Sequence, residues 1–202
     1  MKNTITRIET PNLILRLFVP EEAQLLKERL DDNLEIMMPW IPWAKDEPEP
    51  VDKKRERIRS WIGDFFSNKE YAYGVFEKES GDFVGSSNLF GRRGKGTTEI
   101  GYWMDHLQTG KGYATEVTYA LTKLSFEHMG IEKVLLYIDE RNAASQRIPA
   151  KLGFTHEYTY RELAKDENGD RLKFQVWVMF AEEFKKVDKF ESVNFKTTGI
   201  WN

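Results

Sequence analysis

Cysteine is missing altogether from this 202-residue chain. That one absence excludes disulfides, thiolate metal sites and cysteine nucleophiles. Histidine is scarce: His106, His128 and His156 stand apart, without the paired spacing that a zinc site uses, so no metal is expected. No run of eighteen apolar residues occurs, and no membrane span is expected. The opening MKNTITRIETPNL lacks the apolar stretch of a secretory signal, which makes a cytoplasmic location the expectation. Positive charge is in slight deficit, with a net charge of −3 and a pI near 5.8. That balance argues against a nucleic-acid surface and suits a partner carrying a cationic amine.

What is present describes a globular chain: 40% hydrophobic and 31% charged residues, read as one domain over residues 1–202. Leu13 to Leu17 forms a first predicted strand after the breaker Thr10-Pro11-Asn12. A helix starts at Pro20 and runs through the segment EEAQLLKERL. Residues 33 to 52 carry Pro39, Pro42, Pro48 and Pro50, which forbid continuous helix, with Trp40 and Trp43 between them. The segment reads either as a surface loop pinned by two tryptophans or as one wall of a groove. In the second case Asp46, Glu47, Glu49 and Asp52 draw in an amine; in the first they are merely solvated.

A second helix is predicted from Lys53 to Ser67, then strands over 71–78 and 82–90 joined through Ser80-Gly81. The basic run Arg92, Arg93, Lys95 reads as an exposed turn. Further strands are predicted over 133–138, 154–161 and 174–180, the last two bridged by the polar turn 166–170. That turn lacks the ligand spacing of a calcium loop. The tail beyond residue 185 receives no assignment.

Residues 97 to 129 read as strand, glycine turn, long helix. Thr98, Ile100, Tyr102 and Met104 alternate with Glu99, Gly101 and Trp103, a strand with two faces. Gly110-Lys111-Gly112 ends the alternation, and Val117, Leu121 and Leu124 then recur at helical spacing. Such a turn aims backbone N–H groups and the positive end of a helix dipole at one point, which suits a phosphate; taken alone, a bare GxG reads rather as a strand-to-helix turn that binds nothing. It is not a Walker A loop, since GxxxxGK[ST] is absent. Nor does it fit the dinucleotide fingerprint, which wants a small residue where Thr115 stands.

The run TGKGYATE at 109–116, following EIGYW at 99–103, resembles the acyl-CoA-binding segment of the GNAT N-acetyltransferases. The superfamily pattern is Gln or Arg, two residues, Gly, one residue, then Gly or Ala. Gly112 and Ala114 fill its later positions, while Thr109 departs from the first. The wording, with the TPNLILR opening, is similar to the RimJ/RimL branch, which acetylates protein N-termini or small amines. The resemblance covers about residues 10–185 and leaves 186–202 outside it. It implies an α/β (α+β) fold: a mixed, mostly antiparallel seven-stranded sheet with strands four and five splayed, flanked by about four helices. It implies acetyl-CoA as co-substrate, bound by Trp103, Met104, Asp105, Gly110, Lys111, Gly112, Tyr113, Ala114, Thr115, Asn142 and Ser145. It leaves room for a homodimer.

The second resembling run is NAASQRIPAKLGF at 142–154. Asn142 reads as a helix N-cap, and in the family its counterpart reaches the pantetheine arm. The superfamily's usual acid, a tyrosine two residues before the lysine of KxGF, is replaced here by Pro149; the RimJ/RimL branch offers a serine, Ser145, instead. Proline inside a helix costs about 3 kcal/mol, so a kink or restart is expected there. Glu99 stands where several superfamily members carry a catalytic glutamate, with Glu157 and Glu162 in reserve. It also reads as a strand carboxylate satisfied by a basic neighbour. Trp40, Trp43 and Glu157 are the residues assigned to the amine acceptor. The implied chemistry is direct attack of a neutral amine on the thioester, with a backbone N–H near Met104 holding the oxyanion. A non-catalytic acyl-CoA-binding module is the rival reading.

Overall fold

The computed structural model describes residues 5–91, 94–166, 168–184, 187, 190 and 192–197. Its strands are β1 (Arg7–Glu9), β2 (Leu13–Arg16), β3 (Glu70–Glu77), β4 (Phe83–Phe90), β5 (Thr97–Met104), β6 (Lys133–Asp139), β7 (Thr155–Lys165), β8 (Arg171–Phe180) and β9 (Asn194–Lys196). The helices are α1 (Ala23–Met37), α2 (Val51–Phe66), α3 (Tyr113–Glu127), α4 (Ala143–Leu152) and the single turn α5 (Ala181–Phe184). The nine strands form one sheet in the order β7-β8-β6-β5-β4-β3-β2-β1-β9. Every pairing is antiparallel except β5 with β6, which the crossover through α3 makes parallel.

The seven predicted strands are all there, and two short ones join them at one edge. β1 and β9 pair with each other, which gives the unassigned tail a role as the outermost strand. Their three residues each are too short to show an alternation in sequence. The expectation for residues 33–52 needs correcting in part. α1 continues to Met37 and stops two residues before Pro39, as a following proline dictates. A 3-10 turn covers Pro42–Asp46, and α2 opens directly after Pro50. Arg92 and Arg93 of the basic turn lie outside the described residues, and Lys95 is exposed.

Two cores lie on the two faces of the sheet. On one, Tyr73, Val75 and Ile100 meet Val117, Leu121 and Leu124 of α3. On the other, Phe18, Phe76, Phe83 and Trp103 meet Leu26, Leu30 and Ile58 of α1 and α2. α3 is buried on nearly all sides, so its polar residues need internal partners. Thr118, Thr122 and Ser125 donate to the carbonyls of Ala114, Thr118 and Leu121 at 2.7–2.8 Å.

Candidate active site

β5 and β6 are paired only at Thr97–Lys133, Thr98–Val134 and Glu99–Leu135. Beyond Glu99, β5 stays with β4 as far as Met104, and β6 stays with β8 as far as Asp139. The two strands therefore part into a wedge. β4 is irregular beside this wedge. The register between β3 and β4 slips beside Val75, leaving Val84 as an extra residue, and such a bulge adds twist. At the next residue, Gly85, a Cβ would lie 2.2 Å from the Trp103 carbonyl. Only glycine lets β4 approach β5 so closely there.

The wedge is lined by backbone. The Asp105 N–H donates to the Val84 carbonyl at 2.8 Å, which fixes the alternation of the antiparallel ladder. Trp103 shares that orientation, while Tyr102 and Met104 turn their N–H and C=O groups toward the gap beside β6. Trp103 does not reach the wedge with its side chain either, since its ring is buried against Phe83 with centroids 5.6 Å apart. Asp105 is buried and caps the turn after β5, accepting from the Leu107 N–H at 2.9 Å with Arg29 at 3.6 Å.

Past that turn, Gly110 and Gly112 hold φ values of +80° and +84°, which admit other residues only under strain. A Cβ at either would point into open space. Among the described residues, nothing accepts from the N–H groups of residues 110 to 114; the first bonded donors are Thr115 and Glu116, both to the Gly112 carbonyl. Free N–H groups at the positive end of a fifteen-residue helix fit a pyrophosphate. Thr109, where the pattern expects Gln or Arg, donates instead to the His106 carbonyl at 3.0 Å.

The turn is anchored by side chains. Tyr113 donates to Glu77, a bond that pushes the tyrosine pKa up to about 12 and lowers that of Glu77. Lys111 bonds Gln108 at 2.6 Å and lies 3.8 Å from Glu77. Buried Glu116 accepts from the Thr10 hydroxyl, from the Asn12 N–H at 2.8 Å and from the Asn12 amide at 2.9 Å. The two family-like runs, TPN at the first strand and ATE at the helix, are thus bonded to each other.

α4 faces the wedge from the β6 side. Asn142 caps it, its Oδ1 accepting the Ser145 N–H at 3.0 Å, and its amide nitrogen donates to no described residue. Of the expected kink or restart, the restart does not occur: α4 is one helix through Pro149, which is buried and removes a single N–H. Ser145 lies on the first turn, and the neighbouring side chain is Tyr102 from β5. Burial pushes the Tyr102 hydroxyl up to about 12, against the opposing pull of Ser145. Sequence reading missed Tyr102 as a site residue. Its place in the alternation was visible, but not that α4 would dock over it.

Glu99 is buried, is the last β5 residue paired with β6, and lies on the sheet face opposite Tyr102. Of the acceptor candidates, Trp40 approaches the wedge: the Arg141 guanidinium sits 5.8 Å from its ring and forks onto Asp139 at 2.8–2.9 Å. Trp43 is exposed. Of the acids beside it, Glu47, Glu49 and Asp52 are engaged elsewhere, and Asp46 is exposed. Lys54, only 3% exposed, bonds Glu47 and also Glu49 at 2.8 Å, and Asp52 pairs with Arg55. The Lys54 bond lowers the Glu49 pKa. Glu157 is exposed on β7, separated from β5 by β8 and β6; Glu162 lies on the same edge strand. Among the described residues no three His, Asp or Glu gather as a metal site. A separate pocket of about 340 Å³, lined by Tyr71, Tyr73, Thr97, Leu124 and His128, touches none of the residues assigned above.

Residues 12–155 match the family described as acetyltransferase (GNAT) domain. The uncharacterized protein YkkB of Bacillus subtilis (strain 168) is 29% identical over 170 residues, 81% of this chain and 93% of its own. Ribosomal protein uS5-alanine N-acetyltransferase of Escherichia coli (strain K12) is 23% identical over 155 residues, 75% of this chain and 79% of its own. Among solved structures, RimL, a ribosomal L7/L12 alpha-N-protein acetyltransferase in complex with coenzyme A, has a TM-score of 0.76 and 18% identity. That likeness covers 85% of this chain and 95% of RimL, and it is a likeness of fold.

Proposed function

The chain belongs to the GNAT acetyltransferase family, acetyl-CoA-dependent enzymes, and from that premise we propose that it acetylates the α-amine of a protein N-terminus. The observation that carries this choice of acceptor is the fate of three of the four acids at 46–52, Asp46 being the exposed fourth. Glu47 and Glu49 are bonded to Lys54 and Asp52 to Arg55, so this wall offers little free negative charge to gather a polycation. A single α-amine needs no such field. Its pKa of about 8 leaves roughly 10% neutral at pH 7, whereas a lysine or polyamine nitrogen near 10.4 leaves less than about 0.1%. The ribosomal-protein acetyltransferases among its relatives support the same reading.

In this mechanism the N–H groups of residues 110 to 114 hold the pyrophosphate of acetyl-CoA. Tyr102 and Met104 offer backbone groups, and Asn142 its amide nitrogen, to the arm that follows. Acetyl-CoA supplies an activated thioester. Glu99 accepts the amine's proton, directly or through water, the Met104 N–H stabilises negative charge on the carbonyl oxygen, and Ser145 returns a proton to sulfur. A thiol of pKa about 8.5 leaves readily, so the last contribution is small. The test is a panel with acetyl-CoA, read by free thiol release: peptides with a free N-terminus, the same peptides blocked but containing lysine, polyamines, and small amines. Turnover is expected on the free N-termini. Faster turnover on polyamines or small amines would overturn the choice of acceptor.

A further inference from the structure

Among the described residues, two buried side-chain polar atoms have no hydrogen-bond partner, Ser87 Oγ and Tyr102 Oη. They belong to residues paired directly across β4 and β5. A buried hydroxyl without a well-formed bond costs stability, on the order of 1–3 kcal/mol, so its retention needs a reason. For Tyr102 the reason is its neighbour, the Ser145 side chain at the mouth of the wedge. We propose that Tyr102 is a positioning residue: its hydroxyl donates to Ser145 Oγ and so turns the serine's single O–H toward the leaving sulfur.

The alternative for a serine in the first turn of a helix is to fold its hydroxyl back onto a local backbone carbonyl, where it serves nothing. A donor placed against Oγ from across the sheet competes with that, because an oxygen that accepts from Tyr102 keeps its own hydrogen free. Tyr102 is not itself the proton source. Its O–H is spent on Ser145 Oγ, and burial pushes its pKa up to about 12. It stays protonated throughout the working range, which is what a fixed donor requires. The C–S bond breaks, the sulfur takes the serine proton, and the serine oxygen is reprotonated from solvent; Tyr102 keeps its proton throughout.

The inference rests on the proposed role of Ser145, and one set of variants separates the two. Wild type, Tyr102→Phe, Ser145→Ala and the double variant would be compared by steady-state kinetics on an amine that the panel shows to be acetylated, and by thermal unfolding. Tyr102→Phe keeps the partly buried ring and removes one oxygen. We expect its kcat to fall about five- to tenfold, with KM for acetyl-CoA unmoved and Tm equal to or above wild type. The double variant should be no slower than Ser145→Ala alone. Wild-type kcat in Tyr102→Phe beside a slow Ser145→Ala would overturn the inference, as would losses that multiply in the double variant. A lowered Tm with unchanged kcat would mark the hydroxyl as structural and also overturn it. Wild-type turnover in Ser145→Ala would instead remove the proton-delivery role of Ser145, and the inference with it.

Discussion

A buried carboxylate such as Glu99 helps turnover only as far as the acceptor amine needs help losing its proton. That need differs about a hundredfold between an α-amine and a lysine nitrogen at pH 7. For an α-amine acceptor, Glu99→Gln should cost about a hundredfold at most, the low end of general-base contributions, and raising the pH toward 9 should restore much of it. For a lysine or polyamine nitrogen the loss should be larger and the rescue should need a higher pH. A pH–rate profile of wild type and variant on both acceptor types decides this. Parallel profiles with no pH-dependent rescue would pass the role to Glu157, Glu162 or a water chain.

The glycine turn and α3 act together as an element. CoA and acetyl-CoA should raise the melting temperature, because a ligand that binds only the folded state stabilises it by mass action. At a hundred times its Kd, the shift should be roughly 5–10 °C for a domain of this size. Gly112→Val should abolish that shift. A side chain there projects into the open space beside the free N–H groups, and φ of +84° disfavours it as well. The backbone strain lowers the melting temperature of the free protein too, so the ligand-induced difference is the reading to compare. An unchanged difference would locate the phosphate elsewhere.

For the whole molecule, the sheet closes at one edge through contacts between the two ends of the chain. Glu9 on β1 accepts from Lys196 on β9 at 2.7 Å and from Arg7 at 2.8 Å, and the lysine first, then the arginine, hold its pKa at about 2 against the ordinary 4.5. Between those values the unfolded chain binds the proton and the folded one does not. The stability from this cluster is therefore complete above about pH 4.5 and fades as the pH falls toward 2. Lys196 is half exposed, so the pair should contribute on the order of 1 kcal/mol. Denaturant unfolding of wild type and Lys196→Ala should show a gap at pH 6 that narrows by pH 3. A gap independent of pH would mean that Glu9 is not its source.

Length and periodicity were enough to read seven strands, the long helix and the glycine turn, because each rests on contacts among near neighbours in the chain. The period-2 run at 98–104 needs one covered face, and left-handed positions such as Gly112 favour glycine wherever they occur. The capping of α4 by Asn142 was legible for the same reason. Contacts between distant segments were not. Nothing in TPNLILR announces that Thr10 and Asn12 bond Glu116 more than a hundred residues on, or that the tail pairs with β1. The acids at 46–52 looked free until the fold buried Lys54 between two of them. Tyr102 reads as one more strand aromatic, and only the parting of β5 from β6, with α4 docked over the gap, sets its hydroxyl against Ser145. Local sequence specifies which backbone states each segment prefers; which side chains meet depends on how the sheet and helices pack, and there the candidate site is assembled.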